Sequence, residues 1–568
     1  MFKFKIFKSL IMLNDYQKII FRLKHYSIYS YLFIIELIIY AMSLLYTILF
    51  IHITLYEWDG SNMLFAAESI NKTGFYNGFP RAFWPPLYMV LISILNLVTK
   101  NYFMAGKLIS FFSSIIFQVY SYKFLKTKLT PFFSLLGCTI LFSINTIYFN
   151  SVGVEIHLLC AAFLVIALYL YQIQNNNKIY LYLIGLFIAL ASLTRTIGLI
   201  FILSIFEIYF FYYLRKMNKS YLKKLIRILV GFFIIYGWLF LYNLIDKGVL
   251  FYDYNYLNFA LYYSRNQNFW YNKIQQYHSV FDVITKNTVQ SHLNHIIFDI
   301  STLININIWI FILILILLLI SFSEIKKDNN IIEFLIFIIN FVIGLILSFI
   351  SIEFLIPIFP LIVLVFLTSL SKLIDKFNLN NKISLNIKKT VFRKRMKMIL
   401  NFLIILMIAF SYFEGLSIEI NTVKSTELYY NTNFNIKESS QLLNNLMKKN
   451  ETFMTVIPMY GYYIKAIYLM INLQPVKYLF ERFYYSNVSS IIYNTLPRNP
   501  TNTNPLVIAN YIIIDQLIEK NLPDLSFLYL PQNRSIIPPY LIPVKTFSFT
   551  SIYEVNQTLI RELIAQNT

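Results

Sequence analysis

The sequence predicts a polytopic α-helical membrane protein with a smaller α/β domain at its C-terminal end. Three observations predict this fold class. Of the 568 residues, 58% are hydrophobic and only 13% are charged, whereas a soluble domain carries about 25% charged residues. Apolar stretches of about 20 residues, long enough to cross a bilayer as helices, recur from residue 31 to residue 413. Beyond that point the pattern changes to short β-rich stretches that alternate with helical ones.

Hydropathy predicts about eleven membrane spans in the region 31–413. They are expected near 31–53, 104–122, 131–149, 154–173, 179–194, 196–213, 226–245, 306–322, 331–350, 354–371 and 397–413. Arg195 alone separates the fifth span from the sixth. Two connecting loops are long, at 54–103 and 246–305.

The distribution of basic residues sets the expected orientation. With residues 1–30 in the cytoplasm, the inner segments hold more than half of the 48 Lys and Arg residues, mainly in clusters at 215–227 and 372–397. This asymmetry is the positive-inside pattern of integral cell-membrane proteins. The net charge of +21 therefore indicates topology and attraction to anionic lipid, and does not indicate a nucleic-acid partner. An odd number of spans places 414–568 outside the cell, on the same side as both long loops.

The region 414–568 is predicted to be an extracytoplasmic α/β domain. The stretches "ETFMTVIP", "NPLVIANYIIIDQ" and "VKTFSFTSIYEV" are typical of strands, and "NIKESSQLLNNLMKK" is typical of a helix.

The first outer loop begins with an acidic pair, Glu57 and Asp59, directly after the first span. We expect a helix from Gly60 to Ile70 along the membrane surface, ended by Gly74. Its apolar face would contain Met63, Ala67 and Ile70. Asp59 would cap this helix through backbone N–H groups, or would act as a general base at the lipid headgroups.

A second interfacial helix is expected later in the same loop. Pro85 and Pro86 would start it, because proline is tolerated in the first turn of a helix. Trp84 and Tyr88 suit the headgroup layer.

This loop resembles the first outer loop of the membrane-embedded glycosyltransferases of the C superfamily, here called GT-C. That superfamily includes the protein O-mannosyltransferases, the aminoarabinose transferases of lipid A and many bacterial relatives. The resemblance in the loop rests on Asp59, on "LFAAESI" followed by "TGFY", and on "WPPLY". Four further stretches match in order: "FMAGKLISFFSS" with Lys107, "VGVEIHLLCAAFLVIALYLY" with Glu155, "GLFIALASLTRTIGLIFIL" with Arg195, and "EFLIPIFPLIVLV".

The resemblance implies a reaction and a general base. Such enzymes take a sugar from a polyprenyl-phosphate carrier and pass it to a lipid, glycan or protein acceptor on the outer face. They invert the anomeric carbon, and the acid of the first loop is the general base. In this sequence Asp59 occupies that position.

Four other residues are candidates for binding the substrate. Arg195 interrupts an apolar run, which is costly and usually functional, and a guanidinium can grip a leaving phosphate with two hydrogen bonds. The alternative for Arg195 is snorkelling at a helix turn. Lys107 and Arg81 are further candidate phosphate ligands. Glu155 could orient hydroxyl groups, or could serve only the N-terminus of a helix.

Glu57 belongs to the rim of the same candidate site rather than to its catalytic centre. Two positions depart from the GT-C pattern. Glu353, followed by Phe354, stands where an Arg usually precedes an aromatic residue, and Gly60 replaces the usual second acid.

Two other function classes stay open at this point. A transporter, flippase or polysaccharide polymerase of the cell envelope would have a similar number of spans, but it should place charges at mid-membrane and show repeated halves. A membrane scaffold or adhesion protein would give no reason for acids and an arginine on one side. No Gly-rich nucleotide loop is visible, so a lipid-linked donor is expected. No cofactor is expected; a divalent metal is compatible with the chemistry but is not indicated.

Overall fold

The computed structural model describes residues 28–52, 58–74, 85–174, 177–247, 329–348, 352–380, 415–426, 435–448, 451–455, 467–470, 510–515, 540–547 and 550–559, with a few single residues between these segments. The predicted spans coincide with helices there, except for 306–322 and 397–413, which lie outside the described residues. The exact total of eleven spans therefore stays a prediction.

The described part of the membrane region contains twelve helices, named here in chain order. They are α1 Ile28–Tyr46, α2 Trp58–Thr73, α3 Leu87–Thr99, α4 Tyr102–Lys126, α5 Pro131–Phe142, α6 Asn145–Val152, α7 His157–Ile173, α8 Lys178–Thr194, α9 Leu199–Lys216, α10 Lys219–Lys247, α11 Asn329–Ser348 and α12 Phe359–Asn380. Helix α1 continues as a π-helical turn at Thr47–Ile51, and 3₁₀ turns at Thr196–Gly198 and Ile352–Ile358 precede α9 and α12.

Five described stretches of helix are long and apolar enough to cross a membrane, and a sixth is added if one bent pair counts as a single span. Four shorter apolar helices accompany them: α3, α7, α8 and the Ile332–Gly344 part of α11. The chain is therefore a multi-pass membrane protein, as its composition predicts.

The bent pair is α5 and α6, which form the span predicted at 131–149. The two helices meet at an angle of 63°. Ile144 has an extended backbone, with φ −83° and ψ 110°, so it interrupts the ladder of i→i−4 hydrogen bonds. If the pair is one span, the span predicted at 131–149 is bent at Ile144.

Close helix packing in the bundle depends on small residues. Helices α8 and α10 approach at Gly185 and Gly231: a Cβ at Gly185 would overlap the carbonyl oxygen of Ile228, and one at Gly231 would overlap that of Tyr182. Glycine lets the two backbones touch where a larger side chain would separate them.

Polar side chains also connect helices inside the bundle. The Tyr40 hydroxyl lies 3.1 Å from Ser114 Oγ and 3.0 Å from Ser151 Oγ, so one tyrosine of α1 connects α4 and α6. All three side chains are buried. Such hydrogen bonds satisfy polar groups that cannot reach water.

The C-terminal region folds around a five-stranded mixed sheet. Helix α13 (Ile436–Leu446) precedes strands β1 Thr452–Thr455, β2 Ile467–Met470, β3 Tyr511–Asp515, β4 Leu541–Thr546 and β5 Thr550–Val555. The strand order is β2-β1-β3-β5-β4. Strand β1 pairs in parallel with β2 and β3, whereas β5 pairs antiparallel with β3 and β4.

The helix and the strands β1 and β3 match the predicted stretches. The third predicted strand is instead a hairpin, because residues 547–549 separate β4 from β5. Strand β2 lies in "IYLM", a stretch of four residues that is too short to show an alternation of apolar and polar side chains. Sequence analysis missed it for that reason.

The sheet packs on the helices of the first loop. One buried cluster contains Met63 of α2 and Tyr88 of α3 together with Phe453 of β1 and Ile513 of β3. The sheet therefore lies on the side of the bundle that carries these two helices.

The segment 415–426 is helical and packs into the bundle instead. Its Leu416 and Val423 are buried in the main helical core. The division into 1–30, 31–413 and 414–568 stays a prediction, and this segment lies just beyond its second boundary.

Candidate active site

The loop acid Asp59 lies on a short helix beside the bundle. Helix α2 begins at Trp58, so Asp59 is inside its first turn and is not the N-cap residue that the sequence led us to expect. A carboxylate there still interacts favourably with the positive end of the helix dipole. Met63 and Ala67 are buried on the predicted face. Gly74, with a φ of +82°, ends the helix as predicted and donates its N–H to Ile70 O.

Arg195 lies in the short turn between α8 and α9. Its backbone is extended, with φ −152° and ψ 133°, and its N–H donates to Ala191 O at 2.8 Å. The chain then reverses through Thr196–Gly198. Gly198 allows this turn, because a Cβ there would lie only 2.7 Å from Ser192 N.

The Arg195 side chain packs between an imidazole and an aromatic ring. Its guanidinium carbon lies 3.9 Å from the centre of the Phe354 ring, and Nη1 lies 3.0 Å from His157 Nε2 and 3.2 Å from Nδ1. The rings of His157 and Phe354 are stacked, with centroids 5.4 Å apart. These contacts fix the plane of the guanidinium, which restricts the directions in which it can donate hydrogen bonds.

The contact with Arg195 also indicates the charge of the His157 imidazole. A guanidinium only donates hydrogen bonds, so one imidazole nitrogen must accept, and the ring must be neutral. Glu155 Oε2 lies 3.7 Å from His157 Nε2. With a neutral imidazole, this contact is a polar approach and not an ion pair.

Three carboxylates lie within electrostatic range of the guanidinium. Asp59, Glu353 and Glu155 all interact electrostatically with Arg195. Burial raises the pKa of the Asp59 carboxyl above its ordinary value, Arg195 lowers that pKa, and Glu353 raises it again. A carboxyl with a raised pKa, held near a cation, is suited to accept a proton.

The structure therefore brings together three of the predicted site residues, Asp59, Arg195 and Glu155. They come from α2, from the α8–α9 turn and from the segment just before α7. Glu155 precedes α7 by two residues, and the N-cap of α7 is Ile156, without a side-chain hydrogen bond. Glu155 is therefore not the N-cap residue of α7, and an interaction of its carboxylate with the N-terminus of that helix stays a prediction.

Lys107 has other contacts. Its ammonium donates to Ile48 O at 3.0 Å and to His52 O at 2.8 Å, and it lies 4.2 Å from the centre of the Phe103 ring. Arg81 and Glu57 lie outside the described residues, so their predicted roles stay predictions.

Three residues of this site were not predicted to belong to it. His157 was visible only as the histidine two positions after Glu155. Glu353 and Phe354 were treated as a departure from the GT-C pattern, yet the Phe354 ring contacts the Arg195 guanidinium and Glu353 interacts with it electrostatically. Within the described residues, no group of three or more His, Cys, Asp or Glu side chains is arranged to hold a metal ion.

The whole fold is similar to that of solved membrane transferases. ArnT from Cupriavidus metallidurans in the apo state superimposes with a TM-score of 0.56 at 11% identity, over 93% of this chain and 99% of that chain. ArnT bound to undecaprenyl phosphate gives a TM-score of 0.53 at 11% identity, over 92% and 97%. The Archaeoglobus fulgidus oligosaccharyltransferase AglB, in complex with an inhibitory peptide and a dolichol-phosphate, gives 0.51 at 14% identity, over 90% and 76%.

A scan against protein-family models found no match, and a search of curated proteins found none either. The sequence identities with the solved structures are low, so this similarity concerns the fold. ArnT and AglB are both GT-C proteins. The motifs in the sequence and the architecture of the bundle thus agree: the chain has the GT-C fold.

Proposed function

We propose that the protein is an integral-membrane glycosyltransferase that moves a sugar from a polyprenyl-phosphate carrier to an acceptor on the outer face. One observation carries this proposal. Asp59, Arg195 and Glu155 meet beside α2 in a fold shared with ArnT, which has been solved with undecaprenyl phosphate bound. That carrier is a lipid phosphate, the class of ligand that the half-buried guanidinium could bind.

Each charged group has a role in the proposed reaction. Asp59 takes the proton from the acceptor hydroxyl or amine, and the acceptor atom attacks the anomeric carbon. The bond from that carbon to the phosphate oxygen breaks, and the configuration at the carbon inverts. Arg195 stabilises the negative charge that grows on the departing phosphate. His157 and Phe354 hold the guanidinium in place, and Glu155 orients hydroxyl groups of the sugar or acceptor.

The proposed orientation rests on the distribution of basic residues along the sequence. The N-terminus is cytoplasmic, and α2, α3 and the C-terminal α/β domain face outward. Since the sheet packs on α2 and α3, it is close to the candidate site. The acceptor is a lipid, glycan or protein, and AglB has been solved tethered to an acceptor peptide.

Sugar transfer by membranes that contain the full chain tests this proposal. Membranes are loaded with a radiolabelled pool of polyprenyl-phosphate sugars, and Asp59→Asn is compared with the wild type at matched expression. We expect Asp59→Asn to lower the transfer rate by about 10²-fold or more, because a general base typically contributes that much. Binding of undecaprenyl phosphate to the purified variant should be preserved.

Glu68→Gln is the matched control. Glu68 lies on the same helix, half exposed and paired with Lys72 at 2.5 Å, so its removal should leave transfer unchanged. Equal transfer by Asp59→Asn and the wild type would exclude Asp59 as the base. A wild type that binds undecaprenyl phosphate but transfers no label from the pool would favour a flippase or another carrier-binding function.

A further inference from the structure

The outer end of α1 is held by a buried lysine from a neighbouring helix. The first span ends in a π-helical turn, Thr47–Ile51, and His52 N–H closes that turn by donating to Thr47 O at 2.8 Å. The last carbonyl groups of a helix lack partners within the helix. Lys107 of α4 supplies donors for two carbonyls at this end, those of Ile48 and His52.

The ammonium is enclosed. Lys107 is 2% exposed, and its Nζ lies over the Phe103 ring of the preceding turn of α4. A buried ammonium is costly unless it is hydrogen-bonded, and its charge suits the negative end of a helix. The two carbonyl groups and the aromatic face together account for a cation at this depth.

His52 extends the connection to a third element. Its Nδ1 lies 3.0 Å from Val152 O, at the end of α6, and its ring meets the Phe103 ring edge to face at 5.3 Å. Because a carbonyl oxygen can only accept, Nδ1 carries the proton. Lys107, His52 and Phe103 therefore join the ends of α1 and α6 to α4.

Both of the joined ends lead directly to residues of the candidate site. Asp59 follows His52 by seven positions, and Glu155 follows Val152 by three. We infer that Lys107 is a positioning residue: together with His52 and Phe103 it anchors the two segments that carry Asp59 and Glu155, and it does not bind the carrier phosphate. This inference rests on the proposed function and replaces the phosphate-ligand role that the sequence suggested for Lys107.

The test compares Lys107→Met, Lys107→Arg and Lys123→Met in the full chain. Lys123 is an exposed lysine on the same helix whose Nζ lies 4.6 Å from the Tyr120 ring centre, so it controls for the loss of a charge from α4. For each variant we would measure the affinity for undecaprenyl phosphate, and kcat and KM for sugar transfer. Hydrogen exchange would be followed in peptides that cover Trp58–Thr73 and 152–157.

We expect Lys107→Met to lower kcat at least tenfold, while its affinity for undecaprenyl phosphate and its KM change less than threefold. Exchange should rise in both peptides. Lys107→Arg should recover at least a third of the wild-type kcat, because it keeps donors for the two carbonyls. Lys123→Met should match the wild type in every measurement.

Two outcomes would overturn the inference. One is a tenfold loss of affinity for undecaprenyl phosphate with kcat preserved at saturation, which would make Lys107 a phosphate ligand. The other is unchanged kcat and unchanged exchange. If Lys107→Met does not fold, His52→Leu replaces it, with the same pattern expected in kcat, affinity and exchange, and an unchanged His52→Leu would also overturn the inference. If the wild type transfers no sugar, the proposed function fails, and the exchange measurement still tests the anchor.

Discussion

Helix α7 has a polar cluster at each end, mostly buried at its C-terminal end and mostly half-buried at its N-terminal end, and the two clusters differ in how their charges are matched. At its C-terminal end, called the inner end after the proposed orientation, Glu333 accepts hydrogen bonds from Tyr171 at 2.9 Å and Tyr212 at 2.7 Å, one to each carboxylate oxygen. At its N-terminal end, called the outer end after the same proposal, three carboxylates interact electrostatically with Arg195, whose guanidinium donates to the neutral imidazole of His157.

This is the difference expected between a structural network and the proposed active site. At Glu333, neutral hydroxyl groups already donate a hydrogen bond to each carboxylate oxygen. A network that is satisfied in this way stabilises helix packing. Charges of both signs gathered in one place, with the pKa of Asp59 raised by burial, are the pattern found at catalytic sites. Mutations at the outer end should therefore lower the rate of sugar transfer, whereas mutations at the inner end should lower stability.

The largest effect on the rate of sugar transfer should come from removing the guanidinium at the outer end. We expect Arg195→Gln to lower kcat for sugar transfer by about 10²-fold, because a preorganised donor at a departing anion contributes that much. Affinity for undecaprenyl phosphate should also fall. Steady-state transfer in membranes measures the first effect, and ligand binding to purified protein measures the second.

Arg215→Gln provides the control for this variant. Arg215 is an exposed arginine in the last turn of α9, so its loss should leave both quantities unchanged. A change in kcat below threefold for Arg195→Gln would mean that Arg195 serves only to connect α8, α9 and the loop before α12.

The outer cluster shows what the sequence could and could not reveal. Asp59 and Arg195 were predictable because a charge that borders or interrupts an apolar run is costly, and that cost leaves a local signal. His157 leaves no such signal: its partner Arg195 is 38 positions away, and a single histidine at the start of an apolar helix is compatible with plain burial.

In the fold, too, features that depend on local sequence were predictable and features that depend on distant residues were not. Single spans are predictable because each one depends on local hydropathy. The bend between α5 and α6, the strand β2 and the β4–β5 hairpin depend on neighbours distant in sequence, and sequence analysis missed all three. Lys107 was recognised as unusual, but only the position of the α1 carbonyl groups shows what its ammonium contacts.

A smaller effect is expected on the pH dependence of transfer, where Asp59 and Glu353 should have different roles. Glu353 raises the pKa of Asp59, and the proposed base is active only when deprotonated. Activity should therefore fall as the pH drops through that pKa. Glu353→Gln removes the negative neighbour and lowers the pKa, so the acid limb of the profile of kcat/KM against pH should move to lower pH.

The pH profile of Glu68→Gln serves as the reference, since Glu68 is on α2 but is not among the groups that shift the pKa of Asp59. A shift of the acid limb to higher pH in Glu353→Gln would contradict the placement of Glu353 beside the base. An unmoved limb would show that Asp59 does not control it.

The smallest effect on transfer should come from the inner end. Tyr171→Phe removes one of the two hydroxyl groups bound to Glu333 and leaves one carboxylate oxygen without that donor. We expect a loss of about 1 kcal/mol in the free energy of unfolding. In a thermal unfolding experiment in detergent this appears as a midpoint lowered by a few degrees, with kcat for transfer within twofold of the wild type.

Tyr169→Phe is the matched comparison, because Tyr169 lies on the same helix and contacts Tyr120 ring to ring at 5.8 Å. That contact survives the loss of the hydroxyl group, so the unfolding midpoint should not move. If Tyr171→Phe instead lowered kcat tenfold at an unchanged midpoint, the inner cluster would take part in the reaction. The two ends of α7 would then form one coupled system, because a purely structural network cannot slow catalysis without also losing stability.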